Sequence, residues 1–464
     1  MTRLHQFTAQ LADQFGARLI TSEARLALYA QSEGHHRHAA PLVAAQPTTA
    51  AEVQHLVRMA AEAGLAVVPF GAGTSLEGNA AAVTGSLCID FSRFARIVEI
   101  AAEDLLCVVE PSVTREALNT ELRTSGLFFP VDPGADASLG GMISTRASGT
   151  TTVRYGSMRD NVLALKVVTA DGTLISTGTR ARKSASGYDL THLFTGAEGT
   201  LGLIVEATLR LHGQPEQITA ATWDFPSVAA AVNTVIETIQ SGVPIARMEL
   251  LDDVAIRACN RYSGLTLPET PMLFLEFHGS APAVRDQLES VRTIGLANGG
   301  GTLDIATTTE ERSVLWKARH HALWAARALV PGAVAWITDI CVPISQLAGA
   351  IGRAKQAIDD AGIIAPILGH VGDGNFHVFF ILRPDDAAGM AAARTINEMM
   401  IEHALSVGGT CTGEHGIGLG KREAMIREHG SQSVAFMRRI KQAFDPENLL
   451  NPTKIFLDEQ ESRP

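Results

Sequence analysis

Cysteine is scarce in this chain. Its five residues, Cys88, Cys107, Cys259, Cys341 and Cys411, are scattered over 464 positions with no C-x-x-C pair. That pattern argues against a disulfide framework or a cysteine zinc site and fits a reducing compartment. Long apolar runs are missing too: none is long enough to span a membrane, and Met1 to Gln10 has no apolar signal core. Positive charge is in deficit, since 38 Lys and Arg against 49 Asp and Glu leave −11, which disfavours nonspecific binding to nucleic acid or an anionic membrane. No internal repeat or low-complexity tract occurs. A cytoplasmic protein is expected, with at most peripheral contact at the inner membrane and no transmembrane segment.

What is present describes an ordinary globular protein, with 46% hydrophobic and 19% charged residues. A chain of 464 residues outgrows a single core, so two or three domains are expected. Apolar residues at helical spacing, Phe7, Leu11, Phe15 and Leu19, predict a helical lead-in from Leu4 to Tyr29. The cluster Gly34-His35-His36-Arg37-His38 reads as a loop outside the active site. Thr49 and Glu52 have capping-box spacing, opening a helix to about Ala63. A strand then delivers Pro69-Phe70-Gly71-Ala72-Gly73-Thr74-Ser75, whose glycines let backbone N–H groups approach an anion. Leu76 stands where G-x-G-x-x-G needs its third glycine and no amphipathic helix follows, so a nicotinamide-binding Rossmann fold is disfavoured.

A second glycine-rich stretch runs from Val131 to Gly141 and on through Arg146 to Gly156. Two such loops in one domain suggest a long diphosphate cofactor wrapped by backbone. After Pro215 strand and helix signals alternate, placing a boundary near His212 to Gln217. Thr308 caps a long helix carrying Trp316, Arg319, His320, Trp324 and Arg327. On spacing alone Arg319 lies off the apolar face, as a solvated or ion-paired flank; a guanidinium gripping a carboxylate is the functional alternative.

The chemistry concentrates in His370-Val371-Gly372-Asp373-Gly374-Asn375-Phe376-His377, a strand, turn and returning strand with two imidazoles, and in the loop Gly408 to Gly416, which holds Glu414 and His415. Two His and one Glu with an open position suit a catalytic Zn²⁺, and equally Fe²⁺ or Mn²⁺. The plain alternative is a pair of histidines hydrogen-bonded across a turn.

Several motifs, in order, resemble the FAD-linked oxidases of the vanillyl-alcohol oxidase and p-cresol methylhydroxylase (PCMH) type, in the branch that oxidises D-2-hydroxy acids and nearest its cytochrome-linked members. They are Pro69 to Ser75, Asp132 to Gly156, Gly196 to Gly202, Trp316 to His320, Asp339 to Ser345, His370 to His377, Gly413 to Lys421 and Asn448 to Lys454. The resemblance implies an α+β fold: a helical lead-in (1–35), a two-part PCMH-type FAD-binding domain (36–214), an α+β substrate domain (215–410) and a helical C-terminal segment (411–464). It implies FAD held by Pro69, Gly71, Ala72, Gly73, Thr74, Ser75, Pro133, Gly134, Ala137, Ser138, Gly140 and Gly141, with Ser148, Gly149, Tyr155, Glu198, Gly199, Ile204 and Asn451 along its length. The stretch Gly71 to Asn79 contains no histidine, so the flavin is expected to be noncovalent. Arg146 departs from the branch, which usually has Asn there.

By the same resemblance His370, His377 and Glu414 ligate a divalent metal, Zn first with Mn or Fe as alternatives. His415 is then the catalytic base and Arg319 holds the substrate carboxylate. Relatives acting on 2-hydroxyglutarate carry polar residues where this chain has Ile337, Leu323 and Phe379. An apolar pocket points to D-lactate or a longer apolar analogue, oxidised to the 2-oxo acid with electrons passed to a separate acceptor: a cytochrome, a quinone or an electron-transfer flavoprotein. A glycolate oxidase-type subunit, a D-2-hydroxyglutarate dehydrogenase, a noncatalytic FAD-binding subunit and a zinc hydrolase are the alternatives. A homodimer is the candidate assembly.

Overall fold

The computed structural model describes residues 3–30, 33, 34, 36 and 39–457. Contacts divide the chain into two compact units, Met1–Ser148 with Ser157–Gln214 and Glu414–Pro464, and Gly149–Gly156 with Pro215–Gly413.

The first unit holds two principal sheets. One comprises β1 (Leu19–Ile20), β2 (Val43–Ala45), β3 (Val67–Phe70) and β4 (Leu87–Asp90) in the order β1-β2-β4-β3. Its strands β2, β4 and β3 run parallel. The other is antiparallel, with β5 (Ile97–Ala101), β6 (Leu106–Val109), β8 (Val162–Val168), β9 (Leu174–Gly178) and β10 (Leu203–Arg210) in the order β5-β6-β10-β8-β9. A small pair, β7 (Leu127–Phe128) and β11 (His212–Gly213), completes it.

Helix Ala50–Ala63 begins where its capping residue predicts, with the Thr49 side chain accepting from the Glu52 N–H at 3.2 Å. The lead-in differs from expectation. Its helix covers only Arg3–Phe15, because the chain turns at Gly16 with φ +52° and continues into β1. Phe7, Leu11 and Phe15 bury against Val53 and Leu56, so this helix belongs to the core of the first unit. The C-terminal segment returns to the same core. Leu449 and Leu450 pack there, the Val67 N–H donates to the Leu449 carbonyl at 2.8 Å, and the Asn451 N–H donates to the Val67 carbonyl at 2.7 Å.

The second unit is built on an antiparallel sheet of β12 (Gln217–Asp224), β13 (Arg247–Leu251), β14 (Met272–Gly279), β15 (Leu303–Ala306), β16 (Val334–Ile337), β18 (Ile367–Gly369) and β19 (Asn375–Leu382). The order is β15-β12-β14-β13-β18-β19-β16, with β17 (Ile340–Cys341) also paired to β19. Every residue of β19 is buried, so both of its faces are covered. The long helix expected after Thr308 is broken. It runs Thr309–His320, pauses at His321 and resumes as Ala322–Ala328. The break separates the faces: Trp316 and Arg319 turn inward, while Trp324 is 46% exposed beneath the Arg327 guanidinium.

Candidate active site

In the first unit, β3 leads into the 69–76 loop, which is partly exposed along its length, as is Pro133–Ala137. The two loops meet where Gly71 faces Ser138. A Cβ at Gly71 would come within 2.5 Å of the Ser138 Oγ, so any side chain there would displace the hydroxyl that caps the next helix. Gly140 is tied in the same way against Pro111. Ser138 caps the helix Leu139–Thr145 by accepting from the Gly141 N–H at 3.3 Å. The Ser75 Oγ is buried in the loop with no hydrogen-bond partner in this structure. A buried hydroxyl without a partner is costly unless a ligand supplies one, and a phosphate or flavin carbonyl would do so. These residues therefore fit FAD.

Two other residues expected along the cofactor are spent on scaffolding. Glu198, at φ +52°, accepts from Ile417 N–H at 2.7 Å, Gly418 N–H at 2.9 Å and Asn79 Nδ2 at 2.7 Å. Burial pushes its carboxyl up to about 7 against these donors. The Asn451 Nδ2 donates to the Asn79 carbonyl at 2.8 Å and the Glu198 carbonyl at 2.6 Å. Gly199 and Ile204 follow on the same stretch, Ile204 buried in β10. Arg146 is a left-handed helix C-cap with φ +57°, a place that suits Asn. Its guanidinium donates to the Thr195 carbonyl at 3.1 Å.

Glu414 and His415, expected as a metal ligand and the catalytic base, lie in this unit as well. Glu414 Oε2 accepts from the Ser148 Oγ at 2.7 Å. The His415 carbonyl accepts from Asn79 Nδ2 at 3.2 Å, and its Nδ1 faces the buried Glu77 carboxylate at 3.9 Å. Glu77 also meets Lys421 Nζ at 3.4 Å and His36 Nε2 at 3.6 Å. One imidazole of the cluster set aside as a loop thus converges on the carboxylate beside His415; His35, Arg37 and His38 lie outside the described residues.

In the second unit the two remaining histidines lie on either side of the turn between β18 and β19, His370 directly after β18 and His377 within β19. Leu368 pairs with His377 across the ladder, and the His370 and His377 ring centroids are 5.5 Å apart. His377 Nδ1 is 2.9 Å from the Thr338 carbonyl, an acceptor only, so that nitrogen carries the proton and Nε2 the lone pair. His370 Nδ1 is 2.7 Å from Glu249 Oε1, with the same consequence. Burial would raise the Glu249 carboxyl, but the hydrogen bond from the His370 ring and the Arg319 guanidinium beside it hold it below the ordinary carboxylate range. Arg319, 7% exposed, donates to Glu249 Oε2 through Nε at 3.0 Å and Nη2 at 2.6 Å. Of its two sequence readings, the ion pair is present, but in the interior rather than on a solvated flank.

Asp339 fastens the neighbouring loop, accepting from Asn375 Nδ2 at 2.7 Å and Thr412 Oγ1 at 2.8 Å. Thr410 N–H donates to the Cys341 carbonyl at 2.8 Å. The loop is thereby held beside the histidine turn up to Gly413, and the next residue of the chain is Glu414. Ile337 pairs directly with Phe379, which shares a strand face with His377 two residues away. Gly149 and Tyr155 belong to this unit, and the Tyr155 hydroxyl is 2.7 Å from His278 Nδ1.

Glu77, Glu249, Asp339 and Asn375 receive no individual role in the sequence reading. A lone acid in the apolar strand Met248-Glu249-Leu250-Leu251 was the one signal available for Glu249.

Residues 214–455 match the family of FAD linked oxidases, C-terminal domain, and residues 41–178 match the FAD binding domain family. The chain belongs to the FAD-linked oxidases, and it is an FAD-linked oxidoreductase. It is 48% identical over 430 residues to a probable mitochondrial D-lactate dehydrogenase of Danio rerio, covering 92% of this chain and 86% of that protein. It is 43% identical over 425 residues to a mitochondrial D-lactate dehydrogenase (cytochrome) of Arabidopsis thaliana, covering 92% of this chain and 75% of that one. A solved p-cresol methylhydroxylase superposes with a TM-score of 0.80 at 16% identity, over 99% of this chain and 98% of the other. The fold is accordingly α+β, a two-part PCMH-type FAD-binding domain with an α+β C-terminal domain. Among the described residues no helix is long and apolar enough to cross a membrane.

Proposed function

We propose that the protein is an FAD- and divalent-metal-dependent dehydrogenase that oxidises D-lactate to the 2-oxo acid and passes the electrons to a separate cytochrome. One observation carries the metal: both histidines of the turn commit Nδ1 to fixed acceptors, which presents each Nε2 as a ligand. His370, His377 and Glu414 supply the ligand set, with Zn²⁺ the first candidate and Mn²⁺ or Fe²⁺ the alternatives.

When bound, the flavin supplies the hydride acceptor and the metal a Lewis acid for the hydroxyl oxygen. The chain does the rest. Arg319 holds the substrate carboxylate, and His415 takes the hydroxyl proton as the C2 hydrogen leaves with its electron pair. Ile337 and Phe379, with Leu323, form the wall facing the C2 substituent. An apolar wall accepts the methyl of lactate, whereas a distal carboxylate would lie there unpaired at a cost of several kcal/mol. Glycolate would leave the wall unfilled.

The test is anaerobic reduction followed by flavin absorbance. D-lactate, L-lactate, glycolate, D-2-hydroxyglutarate and a longer D-2-hydroxy acid are added to the yellow protein before and after chelation. Bleaching by D-lactate that disappears with chelation is expected. Bleaching that survives removal of the metal, or a preference for D-2-hydroxyglutarate, would refute the assignment.

A further inference from the structure

Glu249 has no place in the reaction as described, yet its side chain is fully buried in the second unit with both oxygens committed. Its strand β13 pairs with β18 through Leu250 opposite Gly369, and continuing that register sets Glu249 opposite His370. One oxygen accepts from His370 Nδ1–H at 2.7 Å; the other accepts from both Nε and Nη2 of Arg319. A buried carboxylate is expensive, and an apolar residue of similar volume would pack in an interior strand without that cost.

We infer that Glu249 is a positioning residue that couples the two binding elements of the site, orienting and strengthening His370 as a metal ligand while fixing the guanidinium that receives the substrate carboxylate. The inference rests on the metal reading proposed above. A carboxylate on Nδ1–H fixes the tautomer and raises the basicity of Nε2, and loss of such a partner typically weakens metal binding about 10- to 100-fold. Arg319 opposes that effect, because its charge draws electron density from the same carboxylate. The two partners of one ion pair therefore act on the metal with opposite sign. A purely structural ion pair predicts the same sign for both, since breaking it from either side loosens the strand and helix together.

The experiment strips metal from the FAD-loaded protein and titrates Zn²⁺ against a chromophoric chelator, with Co²⁺ absorption reporting ligand geometry. Glu249→Gln is expected to weaken Zn²⁺ about 10- to 100-fold. Arg319→Gln is expected to leave it unchanged or tighten it, while raising KM for D-lactate. Glu249→Asp, which keeps the charge but draws it back from His370, serves if the glutamine variant does not fold, and it is expected to weaken Zn²⁺ at least about fivefold with an altered Co²⁺ spectrum. Wild-type affinity in Glu249→Gln, or comparable losses in the Glu249 and Arg319 variants, overturns the inference while the metal site stands. A wild-type protein that binds no metal overturns the proposed function and this inference with it.

Discussion

Replacing Lys441 by Met tests how the C-terminal tail supports the flavin loop. Lys441 Nζ is buried, donating to the Thr200 carbonyl at 2.8 Å and the Leu450 carbonyl at 2.8 Å, and it is ion-paired with Asp445. Asp445 accepts from Leu449 N–H at 2.8 Å and Leu450 N–H at 2.7 Å. Methionine keeps the volume and removes three hydrogen bonds and a charge. Breaking a buried pair from one side costs about 3–5 kcal/mol. The two N–H donors that remain on Asp445 place the expected loss near the lower end, about 3 kcal/mol. For a unit of this size that corresponds to a Tm lowered by about 6–12 °C. Asn451, next to the clamped residues, bridges to Asn79, and β3 feeds the 69–76 loop directly, so FAD should also dissociate more readily. The assay is a thermal melt of the FAD-loaded protein followed by circular dichroism and by release of flavin fluorescence. Asp445→Asn in the same background should recover part of the loss, since it removes the stranded charge. A Tm shift below about 2 °C with unchanged flavin release would refute the clamp.

His377→Gln should lose more metal affinity than the about 10- to 100-fold typical of removing an outer-shell partner, while retaining the flavin spectrum; retained metal content after dialysis would count against His377 as a ligand. Phe379→Leu should shift kcat/KM toward a longer D-2-hydroxy acid relative to D-lactate by about tenfold, the scale of a methylene or two in a pocket, and an unchanged ratio would remove Phe379 from the substrate wall. The pair Arg18–Glu52, bonded at 2.7 Å, lowers the Glu52 carboxyl to about 2. A depressed carboxyl stabilises the fold above its ordinary value near 4.5, and the contribution fades as pH falls through about 2. Glu52→Gln should therefore melt earlier than wild type at pH 7 by about 1 kcal/mol, solvent screening included, with the gap closing as pH falls toward 2. Equal gaps at pH 7 and pH 3 would contradict this.

The parts of the fold legible in the sequence were those fixed locally. The Thr49 cap and the histidine turn each depend on residues a few positions apart, and each is readable from spacing. The helix after Thr308 was misread because its apolar pattern continues through His321, where the break comes from the turn in the backbone and not from a helix-breaking residue. Acids deep in the structure were least legible. Glu249 meets Arg319 across 70 positions and His370 across 121, and such partners have no signature in a single sequence.

That distinction bears on which polar residues belong to the chemistry. Glu198, Asn451 and Asp445 lie in glycine-rich or motif-like stretches, but their bonds go chiefly to backbone groups of their own unit, which is what stabilising an irregular chain path requires. Glu249 and Asp339 bond chiefly to side chains instead: Glu249 to His370 and Arg319, Asp339 to Asn375 and Thr412. A buried acid serving backbone can be exchanged for another acceptor at modest cost. One that sets the tautomer of a histidine cannot, because an amide can present either its oxygen or its NH2 to the ring and so no longer dictates which nitrogen carries the proton. The sensitivity of the site to conservative replacement should therefore track the kind of partner a residue serves rather than its depth of burial.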